Sequence, residues 1–151
     1  MKRFEFALAP LLSLRTNDRD NARQDVADAL QALELLQQQE QEIETQRQTL
    51  YQQTQQLMAS QEVSVSTLLA QGRYDLQLQA QVQDCRRQQQ LIEAEVRRRQ
   101  EKLQAADVEV KRLEKLCQRQ QQAWQTRMQA MQQAELDEVA SQRYRGGWAE
   151  P

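Results

Sequence analysis

Histidine is absent from this 151-residue chain. Its absence removes the commonest general base, the side chain that switches charge near neutral pH, and the commonest imidazole metal ligand. Only two cysteines occur, Cys85 and Cys117, in no CxxC pair, so neither a zinc site nor a thioredoxin-like motif can be written. Glycine (3) and proline (2) are scarce, and both prolines, Pro10 and Pro151, lie near the ends, so the residues between them meet no obligate helix breaker. Aromatic residues make up 5% and hydrophobic residues 39%, with a mean hydropathy of −0.92, which is thin material for a globular core. No apolar run is long enough to span a bilayer and no signal-peptide pattern is present, so the expectation is a cytoplasmic protein that does not cross a membrane. A net charge of −2 disfavours nucleic acid as a partner, because neutralising phosphates needs a basic surplus on one face.

What remains is the composition of long helices. Glutamine supplies about one residue in five, with glutamate, arginine, leucine and alanine making up much of the rest. From Leu8, alternating steps of four and three give Leu12, Arg15, Arg19, Ala22, Val26, Ala29, Leu33, Leu36, Glu40, Ile43, Arg47, Leu50, Thr54 and Leu57 without a slip. A second unbroken run starts at Leu78 and passes through Val82, Cys85, Gln89, Ile92, Val96, Arg99, Leu103, Ala106, Val110, Leu113, Cys117, Gln120, Trp124, Arg127, Met131 and Ala134 to Glu138. Such spacing averages 3.5 residues, the period that keeps one seam of a helix against a partner. Between the runs, MASQEVSVSTLLAQGRYDL has serines, β-branched residues and Gly72 but no heptad. It reads as the turn, with Leu68 and Leu69 in one short helical turn.

The fold class is therefore all-α, a long antiparallel two-helix coiled-coil hairpin with helix 2 longer than helix 1. It is expected as a single domain over 1–151: helix 1 about 10–60, a tip about 61–73, helix 2 about 74–142, and a mobile tail over 143–151. Charge supports the pairing. Residues 17–45 hold eight acids and two arginines (net −6), and residues 86–119 hold ten bases and six acids (net +4). Folding at the turn sets the acidic stretch beside the basic one, and a fold midpoint near residue 69 or 70 sets Glu40 opposite Arg99. Two extended chains paired as a homodimeric spacer are the structural alternative, at the cost of acid against acid along helix 1. A general secretion chaperone with a loose seam is another.

Cys85 and Cys117 both fall on the seam and, 32 residues apart on one helix, lie about 48 Å apart, far beyond disulfide reach. Packing accounts for them. Arg97, Arg98, Arg99 and Lys102 have Glu93, Glu95 and Glu101 within a turn and read as a salt-bridged face rather than an anion site. The ends carry the apolar surplus: Phe4, Phe6, Leu8, Leu11 and Leu12 in an N-terminal arm, and Trp124, Met128, Met131, Leu136 and Val139 where helix 2 outruns helix 1.

Three stretches, FEFALAPLLSLR, EVKRLEKL and ELDEVASQRY, in this order and at this spacing, resemble the FliJ family of the flagellar type III export apparatus, related to the YscO proteins of virulence secretion. RYDLQLQAQV resembles the family's start of helix 2, although Asp75, Leu76 and Gln77 follow Tyr74 where the family usually places an aromatic. The resemblance implies a non-enzymatic, stalk-like protein with no catalytic, cofactor or metal residues. It implies as partners the hexameric export ATPase, the cytoplasmic domain of the export gate and export chaperones, with a monomeric hairpin as the free form and a cytoplasmic location peripheral to the inner-membrane apparatus. On that resemblance the ATPase-ring end is the set of ten apolar end residues just named. The gate contact, carried over by helical phase, falls on Ile43, Arg47, Leu50, Thr54, Leu78, Val82, Cys85 and Gln89.

Overall fold

A computed structural model gives the fold and describes residues 3–147. Two helices make it up, α1 (Ala9–Ala59) and α2 (Val65–Gly146), and among the described residues there is no strand. Pro10 sits in the first turn of α1, where a missing N–H costs no intrahelical bond. Contacts divide the chain into two units, Asp20–Gln104 and Met1–Arg19 with Ala105–Pro151.

In the first unit α1 and α2 pack antiparallel through a five-residue connection, 60–64. The connection is shorter than the expected 61–73, and Leu68 and Leu69 belong to α2 itself. Ser64 is the reason. Its hydroxyl accepts the backbone N–H of Thr67 at 3.2 Å, and its carbonyl accepts Leu68 N–H at 3.3 Å, so the helix starts at Val65, thirteen residues before its heptads do and nine before the expected start near 74. Gly72 then lies inside the helix, where its lack of a side chain lowers helix propensity without breaking the backbone ladder.

Register follows from pairs that straddle the connection: Thr54 with Gln71 at 2.7 Å, Arg47 with Asp75 at 3.1 Å, Glu40 with Arg86 at 2.8 Å, and the Arg99 guanidinium on the Asp25 carbonyl at 2.6 Å. All centre on residues 60–64, not 69 or 70, so Glu40 faces Arg86 instead of Arg99. The shorter turn is what moves the register. Every seam position from Ala22 to Leu57 and from Leu78 to Leu103 is buried or half-buried, with Ile43, Leu50, Leu78, Val82 and Cys85 clustered as core.

In the second unit the seam continues through Ala106, Val110, Leu113 and Cys117, and Val110 is 0% exposed. Opposite the regular phase, Thr16 turns inward where Arg15 was expected. Arg15 stays exposed with Asp18 at 3.4 Å, while the Thr16 hydroxyl donates to the Leu12 carbonyl at 2.8 Å. A short side chain that satisfies its own hydroxyl is cheaper to cover than a guanidinium. Beyond Cys117 the heptad continues in sequence, but of its positions only Trp124 is half-buried; Gln120, Arg127, Met131, Ala134 and Glu138 are exposed. Of the expected tail, residues 143–146 are helical, with Arg143 and Arg145 in the last turn, where cations favour the helix dipole. Residues 148–151 lie outside the described residues.

Candidate functional site: two apolar surfaces on a helical hairpin

The expected ring end divides into a covered part and a bare part. The Phe4 ring packs on Trp124 with centroids 6.2 Å apart at 50°, a tilted arrangement typical of aromatic pairs. Phe6, Leu12 and Met128 are half-buried. Leu8, Leu11, Met131, Leu136 and Val139 are exposed, and so are every described residue from Gln129 on and Leu14, which the heptad pattern passes over. Trp124, Met128 and Met131 follow each other at spacings of four and three on one stripe. Leu136 lies about a third of a turn off that stripe, so the ten residues do not form a single face. Tyr144, assigned above to the tail, adds a further exposed apolar residue on α2.

The eight residues expected at the gate contact do come together, but as interior. Ile43, Leu50, Leu78, Val82 and Cys85 form the core cluster of their unit. The other three are half-buried and engaged. Arg47 bonds Asp75 at 3.1 Å and Glu44 at 3.3 Å; the Thr54 hydroxyl lies 2.7 Å from Gln71 Oε1 and 2.9 Å from the Leu50 carbonyl; the Gln89 amide donates to Glu40 at 2.7 Å. What a partner reaches in this region is therefore the surface beside the seam.

That surface is not flat. A groove of about 550 Å³ is lined by Leu50, Tyr51, Thr54 and Met58 of α1 and by Leu68 and Gly72 of α2, with Glu44, Arg47 and Asp75 also on its lining. Tyr51 is 65% and Met58 64% exposed. Heptad reasoning misses both because they lie off the seam. Their own spacing of seven residues, which sets both on one face of α1, is the signal that was available.

Electrostatics in this unit runs within helices as much as between them. The Arg86 guanidinium and then the Gln89 amide hold the Glu40 carboxyl below the usual carboxylate range, and Arg86 itself is raised. On α2, Arg98 and Arg99 bond Glu95 at 2.7 and 2.9 Å and lower it likewise. The arginine cluster is thus partly neutralised by its own helix.

Among the described residues no group of three or more histidine, cysteine, aspartate and glutamate side chains is placed to hold a metal ion, and no helix is long and apolar enough to cross a membrane. Both cysteines are free thiols, Cys85 buried and Cys117 half-buried.

Neither a search of curated proteins nor one of solved structures gives a match to the chain. The family model of the flagellar FliJ protein matches residues 4–147, which takes in both helices, the connection and the Phe4 arm. A two-helix hairpin, the Phe4–Trp124 closure and that near-complete match agree: the chain belongs to the FliJ family, structural components of the flagellar export apparatus.

Proposed function

We propose that this protein is a non-enzymatic, stalk-like component of the flagellar export machine that binds the hexameric export ATPase with its apolar end and the cytoplasmic domain of the export gate with the region near the 60–64 connection, and that it assists the handling of chaperones and their substrates. It acts from the cytoplasm, peripheral to the membrane. The observation that carries the ring assignment is the bare stretch of α2 from Gln129 on, where Met131, Leu136 and Val139 stand exposed on a helix with no covering partner among the described residues. Apolar side chains held out on a rigid helix are the usual form of a helix-in-groove contact.

The mechanism rests on symmetry mismatch. One asymmetric protein inside a ring of six equivalent subunits contacts only some of them at a time, so it biases their nucleotide states unequally. Seam closure within one chain supports the monomeric hairpin over a homodimeric spacer, since the residues a twin would cover are already covered.

The test is ATP hydrolysis by the cognate export ATPase with this protein added, together with co-purification of the two. The expected result is stimulated turnover that is lost in a Met131→Ser, Leu136→Ser, Val139→Ser triple variant; all three sites are exposed, so the hairpin remains folded. Full-length protein that neither stimulates nor co-purifies sinks the proposal.

A further inference from the structure

The seam of α2 outlasts its cover. Its heptad positions are buried or half-buried down to Cys117, and Phe4 packs on Trp124. From there Arg127, Met131, Ala134 and Glu138 stand exposed on a helix that runs to Gly146, and the same steps carry on through Ser141 and Arg145, exposed as well.

These positions are complementary to themselves. Turned end for end about the point midway between Gln132 and Gln133, the stretch sets Arg127 against Glu138 of a second copy and Met131 against its Ala134. In each pair one position precedes a step of three and the other a step of four, which is how the seams of antiparallel helices meet. Twofold symmetry repeats both pairs, so two arginine–glutamate contacts flank a centre of two methionines and two alanines. The charges are free to do this. Arg127 has no ion-pair partner among the described residues, and Glu138 holds only the Gln142 amide of its own helix, at 3.4 Å. Charge also sets the direction, because parallel copies would place arginine on arginine and glutamate on glutamate. Leu136 and Val139 take no part. At about 100° per residue, Leu136 lies nearly opposite these four positions and Val139 about 110° away from them.

We infer that this end of α2 is a self-association surface: two copies of the chain pair antiparallel through residues 127–138, with Arg127 of each on Glu138 of the other. The inference continues an interface the chain already builds, since the uncovered positions extend the seam that α1 closes as far as Cys117. The hairpin itself needs no twin, and pairing is confined to its uncovered end. It goes beyond the ring contact and does not depend on it. Twelve residues span only about 17 Å of helix, so the contact falls short of the roughly 1,200 Å² of stable complexes. The pair is a weak one that forms as concentration rises and fades with salt.

Sedimentation velocity of the full chain in low salt and reductant, over a hundredfold range of concentration reaching about 0.5 mM, is the test. The wild type is expected to pass from monomer to dimer. Arg127→Glu and Glu138→Arg, both at exposed sites, each turn two attractive contacts into two repulsive ones and are expected to weaken the dimer about tenfold. The double variant and an equimolar mixture of the two single variants both restore opposite charges, and both are expected to regain wild-type association, which excludes misfolding as the cause. Leu136→Ser with Val139→Ser, which removes apolar residues assigned to the ring, is expected to leave the dimer unchanged. A wild type that stays monomeric throughout overturns the inference, and so do single variants that associate as well as it does. A mixture that associates more tightly than the wild type makes the pairing parallel and overturns the antiparallel register. Loss of the dimer in Leu136→Ser, Val139→Ser moves the contact to the other face of α2 and overturns the surface.

Discussion

Leu78 and Leu91 stand on the same helix, yet Leu78 is 2% exposed and Leu91 73%. Truncating Leu78 removes core contacts with Ile43, Val82 and Cys85 and leaves a cavity that two stiff helices cannot collapse around, so Leu78→Ala is expected to cost about 3 kcal/mol in urea unfolding. Leu91→Ala is expected to fall within about 0.5 kcal/mol of the wild type, because the side chain already lies in water. Gly72→Ala goes the other way. Gly72 has helical geometry and open space where a Cβ would sit, so alanine is expected to add about 1 kcal/mol, chiefly by restricting the unfolded chain. At this scale the sequence was readable wherever burial follows period. Ile43, Leu78, Val82 and Cys85 were placed on the seam by spacing alone, and the structure buries all four. Arg15 was misplaced because a heptad counts positions and not side-chain costs, and Thr16 next to it is cheaper to cover.

At the scale of elements, the existence and pairing of both helices were legible, and the start of α2 was not. Heptad periodicity begins only at Leu78, while the helix begins at Val65, because the first turns of α2 are held by a cap and one cross-helix bond. Serine, valine and threonine read as turn residues by composition, yet Ser64 with Thr67 three residues on makes a capping arrangement that starts a helix. The misplaced boundary then moved the whole register, since pairs such as Glu40 with Arg86 and Arg47 with Asp75 are symmetric about 60–64. The candidate site suffered for the same reason. The groove lies between a stretch of α1 that was legible and a stretch of α2 that had been read as loop, so the part of its lining that includes Leu68 and Gly72 was invisible. Ser64→Ala is expected to lose about 1 kcal/mol and to raise amide hydrogen exchange over residues 65–68 well above that near Leu78. Exchange unchanged over those residues removes the cap from the account.

For the molecule as a whole, the complementary charges of its halves are real, but cross-helix pairing is a small part of how they are used. Arg86 reaches Glu40 and Glu44 across the seam and Arg47 reaches Asp75, whereas Glu95, Asp107 and Glu109 hold bases of their own helix. These pairs are solvated, so each contributes little and is screened by salt. Acid is the sharper probe. Glu40 and Glu95 are both held below the ordinary glutamate range, Glu40 by hydrogen bonds from Arg86 and Gln89, Glu95 by those from Arg98 and Arg99. In the unfolded chain both return toward about 4.3 and take up a proton first. A group depressed in this way stabilises the fold fully above its unfolded value, and that stabilisation fades as pH falls through the folded value. The urea midpoint is therefore expected to be level from neutrality to about pH 5 and to fall below about pH 4. Glu40→Gln keeps a hydrogen-bond acceptor for Arg86 without the charge, and should lower the neutral-pH midpoint while flattening the acid limb. If instead the variant keeps the full acid slope, the Glu40–Arg86 pair is not what ties the two helices to pH.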